Sequence, residues 1–258
     1  MRIGIEVDLD YRFEQGADVL LQIEAASMYD QRIEDEQLTI WSDTPIRAAT
    51  GEGGIGQRCW SHGDGHWRAQ YRATVAIDRV TADFSALAAT APRDLTGDLV
   101  QYLMPSRYCP SDRFEGFVRH EFPDLEGGAL AMALVDWVAE SLDYDNAAST
   151  GDTTALDTFA TRSGVCRDYA HLLVSLARAG NIPARCVSAY APGVDPPDFH
   201  AVAELWLGGA WHLADATRMA GCGDIARVAV GRDATDIAFM TAFGTAEMLW
   251  QQVRVRQL

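Results

Sequence analysis

Apolar and polar residues alternate along several short segments in the first half of the chain. Residues 67–77 show the pattern clearly, because every second position is apolar, as in an antiparallel strand with one buried face. Residues 14–18 and 63–65 combine glycine with polar residues and predict turns between strands. Several such strands in succession predict a small antiparallel sandwich or barrel. The predicted strands are residues 3–13, 19–25, 37–40 and 67–77.

The second half of the chain begins with helical spacing and returns to strands. Apolar positions three and four residues apart predict a helix over residues 128–142, and residues 164–179 predict a second helix that Gly180 and Pro183 terminate. The later predicted strands are residues 185–190, 200–207, 210–217 and 249–256. This order predicts an α+β fold. In it, residues 1–112 form a β-rich N-terminal domain and residues 113–258 form a core domain with a C-terminal strand.

The charge of the chain limits the classes of partner that it can bind. Among 258 residues, 37 acidic residues stand against 21 basic ones, all of them arginine, and the formal net charge is −16. Such a balance opposes binding to a phosphate backbone, and the apolar runs are far shorter than the ~20 residues of a membrane-spanning helix. The first residues alternate like a strand instead of resembling a signal peptide, and five cysteines without short-range spacing favour a reducing compartment. The sequence therefore predicts a cytoplasmic protein with no nucleic-acid or membrane partner.

A cysteine at the start of the second predicted helix is the first candidate for chemistry. Ser163 or Gly164 would cap this helix, which places Cys166 in its first turn. Unpaired backbone N–H groups and the helix dipole favour a negative charge there, and a thiolate is the reactive form of cysteine. The same N–H groups could donate hydrogen bonds to an oxyanion at an attacked carbonyl.

A predicted hairpin supplies the partners of this cysteine. Gly208 and Gly209 form a favoured two-residue loop, so Leu207 would face Ala210. In that register His200 and Asp215 are diagonal neighbours on one face of the hairpin, about 7–8 Å apart at the backbone. A slip of one residue would place them on opposite faces. The spacing is compatible with a triad in which Cys166 attacks, His200 is the base and Asp215 orients the imidazole.

Other titratable residues have structural interpretations that compete with functional ones. Glu204 shares a predicted strand face with His200, and both a structural and a site role are open. Cys59, His62 and His66 have spacings that a metal could use, although the surrounding glycines favour a loop, so we predict no metal site and no cofactor. The residues interpreted as structural or as ordinary thiols are Arg167, Asp168, His171, His212, Cys109, Cys186 and Cys222.

Four motifs in this order resemble the transglutaminase-like superfamily, most closely a bacterial branch labelled as cysteine proteases. They are Gly-Val-Cys-Arg-Asp-Tyr-Ala at 164–170, Asn-Ile-Pro-Ala-Arg at 181–185, His-Ala-Val-Ala-Glu at 200–204, and Trp211 with Asp215 and Thr217. The resemblance covers residues 129–244, and the β-rich front half is similar to a domain that often precedes this core. It implies a papain-like core with Cys166 as nucleophile, His200 as base and Asp215 as orienting residue. The sequence departs from the family at Val202, where tryptophan is usual, and at Ala216, where proline is usual.

The leading hypothesis is an enzyme that forms a thioester on Cys166 with a peptide, protein or amide substrate. Hydrolysis, as in a peptidase or amidase, is favoured over transglutaminase-type transfer to an amine. A non-catalytic binding module on the same fold and a metal-dependent hydrolase that uses Cys59, His62 and His66 are the alternatives. Trp137 and Tyr144 are candidates for the second donor to the oxyanion.

Overall fold

Four strands from the first half form an antiparallel sheet in the computed structural model, which describes residues 1–42, 44–81 and 83–258. They are β1 (Arg2–Leu21), β2 (Gln31–Trp41), β3 (Arg47–Thr50) and β4 (Gln57–Ile77). The two long strands β1 and β4 pair along most of their length, and β2 and β3 pair with β4. Alternate residues are buried over 3–13 and 67–77, as the sequence pattern predicts.

The two turns predicted inside β1 and β4 are wrong, and the reason is a β-bulge. Residues 14–18 and 63–65 lie within the strands and opposite each other, because Phe13 pairs with Gly65 and Ala17 with Gly63. Three residues of β1 therefore face one residue of β4. Gly65 takes a left-handed conformation with φ +67°, and a Cβ on Gly63 would lie 2.5 Å from the ring of Phe13. A bulge uses the same residue types as a turn, so the sequence pattern alone does not distinguish a bulge from a turn.

The helices follow in the middle of the chain. The elements are α1 (Gly97–Val100), α2 (Glu115–Glu121), α3 (Gly127–Ser141), β5 (Asp143–Tyr144), α4 (Ala155–Thr161), β6 (Ser163–Gly164) and α5 (Cys166–Ala179). Both predicted helices are confirmed as α3 and α5, with ends shifted by one or two residues. Every residue of α5 from 168 to 178 is buried, so this helix lies in the core and its first turn is its accessible part.

A second antiparallel sheet packs against α5. Its strands, with the short helix that follows them, are β7 (Ala184–Tyr190), β8 (His200–Leu207), β9 (Ala210–Ala214), β10 (Ala226–Gly231) and α6 (Ala234–Ile237). The strand order is β10-β7-β8-β9. Ala203, Leu205 and Leu207 of β8 join the same buried cluster as α5, whereas Val202 joins a smaller cluster on the other face of the strand.

The last strands return to the first sheet. These are β11 (Met240–Ala242) and β12 (Glu247–Gln257), and both pair with β1, where Ile3 lies opposite Gln257. The result is one six-stranded sheet, and its arrangement as a sandwich or barrel stays a prediction. Pairing between the first and last strands of the chain joins the two predicted domains, whose boundary at residue 112 remains a prediction.

In the ranges that the structure describes, no helix combines the length and the apolar character needed to cross a membrane.

A chain of buried ion pairs, which we call the Arg227 network, connects the two halves of the molecule. Arg227 of β10 donates to Glu204 at 2.6 Å and to Asp30 at 2.8 Å. Arg185 of β7 also binds Glu204, at 2.6 Å, and Arg79 binds Asp30 at 2.6 Å. All five side chains are at most 7% exposed. Buried charges of this kind require partners on every side, because each has lost its water.

Replacement of Glu204 by glutamine should destabilise the protein strongly. The change leaves Arg185 and Arg227 without their shared carboxylate in a buried environment, and loss of one partner from a buried pair costs about 3–5 kcal/mol. Urea denaturation monitored by circular dichroism measures the difference in unfolding free energy. Glu247→Gln is the matched control, since Glu247 forms an exposed pair with Arg12, and we expect a change below about 1 kcal/mol. Similar losses in the two variants would contradict a structural role of the Arg227 network.

Candidate active site

Cys166 is the first residue of α5 and lies directly after β6. Val165 is the N-cap residue, so the capping residue differs from the Ser163 or Gly164 that the sequence predicts. Valine has no side-chain acceptor, and instead the Asp168 carboxylate folds back and accepts a hydrogen bond from the Val165 N–H at 2.9 Å. Gly164 leaves room for this carboxyl group, since a Cβ there would lie 2.7 Å from the Asp168 Cβ. The start of the helix is thus fixed, with the thiol in the first turn.

His200 and Asp215 meet through the predicted hairpin. Leu207 pairs with Ala210 and Ala203 with Ala214, which confirms the predicted register. Asp215 lies one residue beyond the end of β9, and its Oδ2 is 2.9 Å from His200 Nε2. The two side chains are 0% and 2% exposed, so water does not compete for this bond.

The carboxylate of Asp215 is held by three further hydrogen bonds. Thr217 donates from its backbone N–H at 2.9 Å and from its hydroxyl at 2.7 Å, and Ala220 donates from its backbone N–H at 3.0 Å. Burial by itself would raise the pKa of Asp215, but the bonds from His200 and Thr217 hold it below its usual value. Asp215 therefore stays ionised and fixes the orientation of the imidazole ring.

The other ring nitrogen of His200 is left for the cysteine. Nδ1 is buried and has no hydrogen-bond partner, sulfur included, among the residues that the structure describes. Burial favours the neutral ring, yet the hydrogen bond with Asp215 and the proximity of Cys166, together with their negative charges, raise the pKa of His200 to about 9. The imidazole of His200 is therefore protonated below about pH 9.

Tyr144 is the aromatic residue that the fold brings to the thiol. The two-residue strands β5 and β6 pair in parallel, with Tyr144 beside Gly164, two residues before Cys166. Its hydroxyl lies close enough to the Cys166 backbone N–H and sulfur for both to influence its pKa. Burial first, and then the negative charge of the Cys166 thiolate, raise the pKa of Tyr144 to about 12. The hydroxyl therefore keeps its proton and can donate it.

Trp137, the other candidate donor, lies elsewhere. Its ring packs against Phe117 and Phe159, with centroid distances of 5.0 Å and 5.8 Å, and the Arg162 guanidinium lies over it at 4.6 Å. Helical spacing alone could not show that this side of α3 faces an aromatic cluster and not the cysteine.

The neighbouring polar residues have structural contacts. Glu204, for which both roles were open, is fully buried between Arg185 and Arg227. Arg167 pairs with Asp168 and donates to the Ser149 hydroxyl at 2.8 Å, which fastens the loop before α4 to the start of α5. Nε2 of His212 lies 3.0 Å from the carbonyl oxygen of Leu207 across the hairpin.

The structure does not bring Cys59, His62 and His66 together as a metal site. His62 bonds to Asp18 at 3.0 Å and His66 to Asp10 at 2.6 Å, while Cys59 is buried in the core. These residues lie in β4, not in the predicted loop.

A buried cluster of Cys109, His171 and Cys186 was not apparent from the sequence. One potential ligand atom of each lies within 4.8 Å of the others. However, His171 Nε2 accepts a hydrogen bond from the Ala234 N–H at 3.1 Å, so the neutral ring carries its proton on Nδ1. Burial and then the charge of Arg167 lower the pKa of His171 to about 3, which keeps the ring neutral. Neither nitrogen has a free lone pair for a metal, and the cluster is better described as packed core.

Comparisons with known proteins identify the family and the fold of this chain. The family model for the "Transglutaminase-like superfamily" matches residues 117–216, which include Cys166, His200 and Asp215. The crystal structure of a "Putative Cysteine Protease" from Cytophaga hutchinsonii is 32% identical, has a TM-score of 0.93, and covers 99% of this chain and 90% of that chain. An uncharacterized protein of Mycobacterium leprae is 24% identical over 219 residues, or 81% of this chain and 69% of the relative. The resemblance and the α+β fold inferred from the sequence are confirmed.

The raised pKa of His200 predicts how the reactivity of Cys166 toward charged reagents depends on pH. Below about pH 9 the imidazolium places a positive charge beside the sulfur, and a rise in pH through about 9 removes it. Alkylation by anionic iodoacetate should therefore slow about fivefold relative to neutral iodoacetamide, since one charge at ~4 Å in water is worth about 1 kcal/mol. Mass spectrometry of the Cys166 peptide gives both rates. In His200→Gln the ratio should not vary with pH over this range, and an equally constant ratio in the wild type would contradict the assignment.

Proposed function

The chain belongs to the transglutaminase-like superfamily, and on this basis we propose that it catalyses acyl chemistry through a thioester on Cys166. Hydrolysis of a peptide or carboxamide is the overall reaction that we favour. The observation that carries the proposal is the buried His200–Asp215 pair at 2.9 Å, which leaves Nδ1 of the imidazole unbonded and close enough to Cys166 for the thiol to raise the pKa of His200. A module that only binds its partner has no use for this arrangement.

The proposed reaction has two half-reactions. In the first, the Cys166 sulfur attacks the carbonyl carbon after its proton has passed to His200 Nδ1, and the carbonyl oxygen becomes an oxyanion. The same proton then passes to the leaving amine as the C–N bond breaks, which leaves an acyl thioester on the sulfur. In the second, His200 takes a proton from water, the hydroxyl adds to the thioester carbonyl, and the sulfur departs with that proton. The products are a carboxylic acid and the free enzyme.

Two groups could donate hydrogen bonds to the oxyanion. The Cys166 backbone N–H belongs to the first turn of α5, where it has no acceptor within the helix. The Tyr144 hydroxyl is close enough to this N–H for the N–H to influence its pKa, so in the proposed reaction an oxygen between them accepts from both. Donors that are fixed before the reaction stabilise the developing charge without reorganisation.

Hydrolysis is favoured because the similar structure from Cytophaga hutchinsonii, which covers 99% of this chain, is named as a protease. Amine transfer differs only in the second half-reaction, where an amine replaces water. Since the chain contains no lysine, it cannot capture its own thioester through an ε-amine. An amine acceptor must therefore be supplied in any test of transfer.

Acid-quenched mass spectrometry should detect an acyl adduct on Cys166 during turnover of peptide amides. A mixed library of peptide coumarin amides and protected glutaminyl peptides serves as the probe, first in water and then with added cadaverine. We expect a carboxylic acid product in both arms, and loss of turnover by at least about 10³-fold in Cys166→Ser.

Three outcomes would contradict parts of this proposal. Equal turnover by the wild type and Cys166→Ser would exclude thiol chemistry, and a product that is mainly the cadaverine amide would exclude hydrolysis as the principal reaction. No adduct on Cys166, together with reactivity no greater than that of a free thiol, would favour the binding module.

Removal of the Tyr144 hydroxyl should slow the first half-reaction. Tyr144→Phe keeps the ring, which packs 6.0 Å from Tyr169, but removes one oxyanion donor, and such a loss typically lowers kcat about 10²- to 10³-fold. Turnover of the most reactive library member and the alkylation rate of Cys166 are measured together. A fall in turnover with an alkylation rate within about threefold of the wild type identifies the donor role. Tyr29→Phe is the control because Tyr29 is 89% exposed, and equal activity in both variants would contradict the role of Tyr144.

A further inference from the structure

Asp198 is an acidic residue placed beside the candidate active site by two parts of the chain. It lies two residues before His200, in the segment between β7 and β8. Its Oδ1 accepts a hydrogen bond from the Phe199 N–H at 2.8 Å and another from Gln251 Nε2, also at 2.8 Å. Gln251 belongs to β12, so the first sheet helps to hold a side chain next to the catalytic histidine.

The segment that carries Asp198 is anchored by its neighbour. The ring of Phe199 stacks on Phe239 with a centroid distance of 4.3 Å and an interplanar angle of 9°, and it lies 5.8 Å from the ring of Tyr190. Aromatic packing of this kind limits the positions open to the adjacent residue. The carboxylate of Asp198 is therefore held in place by contacts on both sides.

The negative charge of Asp198 acts on the groups around the thiol. It contributes to the raised pKa of Tyr144, after the larger effects of burial and of Cys166. It also contributes to the raised pKa of Tyr11 in β1, where burial is the larger cause. The charge of Asp198 thus reaches the Tyr144 hydroxyl, and its sequence position places it two residues from His200.

No cation balances this carboxylate. None of the arginine or histidine side chains in the described ranges forms an ion pair with Asp198. The residue as a whole is exposed, but its carboxyl group lies among protein atoms, and the partial loss of water raises its pKa. An unpaired carboxylate near a developing oxyanion opposes the reaction unless the substrate supplies a positive charge.

We infer that Asp198 is a specificity-determining residue that selects substrates with an alkylammonium or guanidinium group close to the attacked carbonyl. This inference rests on the proposed function and adds a substrate class to it. The cation could belong to the acyl substrate, as a basic side chain, or to an amine that attacks the thioester. Both place the same charge next to Asp198, whose carboxylate accepts hydrogen bonds from either.

Charged methanethiosulfonate reagents test the inference without knowledge of the substrate. The Cys166 thiolate attacks the sulfenyl sulfur, a disulfide forms, and methanesulfinate leaves. We compare the 2-(trimethylammonium)ethyl, methyl and 2-sulfonatoethyl reagents at low ionic strength, because salt screens exposed charges. Peptide mapping by mass spectrometry assigns each modification to Cys166.

The wild type should react faster with the cationic reagent than with the anionic one, and Asp198→Asn should reduce this ratio at least about fivefold, the factor for one charge at ~4 Å in water. Asp198→Glu keeps the charge and should retain most of the preference. Asp195→Asn is the matched control, because Asp195 is an exposed aspartate of the same segment, and its ratio should stay within about twofold of the wild type.

The outcomes separate this inference from the proposed function. If Cys166 reacts readily but the ratio is the same in the wild type and in Asp198→Asn, the specificity role is overturned and the thiol chemistry stands. If Cys166 reacts no faster than a free thiol with any reagent, the proposed function itself fails. With the peptide library, Asp198→Asn could raise the KM of basic peptides and leave the KM of other peptides unchanged, which assigns the cation to the acyl substrate. If Asp198→Asn changes only the KM of cadaverine, the cation belongs to the amine.

Discussion

The position of His200, the proposed base, depends on a guanidinium buried at the interface of the two sheets. Arg227 is 2% exposed at its side chain and binds Glu204 from one side and Asp30 from the other. Glu204 lies on β8 four residues after His200, and β8 is the strand whose start sets the place of the imidazole. Any shift of β8 would separate a buried carboxylate from two arginines, at a cost of several kcal/mol. The Arg227 network therefore opposes any change in the register of β8, the strand that begins at His200.

Each residue of the candidate site stands at or next to the end of an element. Cys166 begins α5, His200 begins β8, Asp215 follows β9, and Tyr144 ends the two-residue strand β5. Element ends carry backbone groups without partners in their own helix or strand, and these groups are available for substrate or for fixing side chains. The interiors supply rigidity, since α5 is buried from residue 168 to residue 178. This separation explains why the thiol is accessible although its helix is the most buried in the molecule.

The parts of the site that could be predicted from the sequence are those set by local rules. The Gly208-Gly209 loop fixes the hairpin register by turn chemistry, and the register brings Asp215 to His200. The position of Tyr144 could not be derived, because it depends on a parallel pair between residues twenty apart that is only two residues long. The pairing of β12 with β1 links the ends of the chain and has no local signal. Glu204 and Arg227 are charged residues that a sequence pattern assigns to the surface, and only the fold shows that they are buried partners.

The two sheets make different contacts with β8 and with the residues around His200. The second sheet carries His200 and, through the hairpin, brings Asp215 to it. The first sheet reaches the segment before His200 through Gln251 of β12, which bonds to Asp198, and its neighbour Asp30 reaches the middle of β8 through Arg227 and Glu204. Because β12 pairs with β1, the segment next to His200 is in contact with the β-rich half of the chain. The similar structure from Cytophaga hutchinsonii covers 99% of this chain and therefore includes both halves.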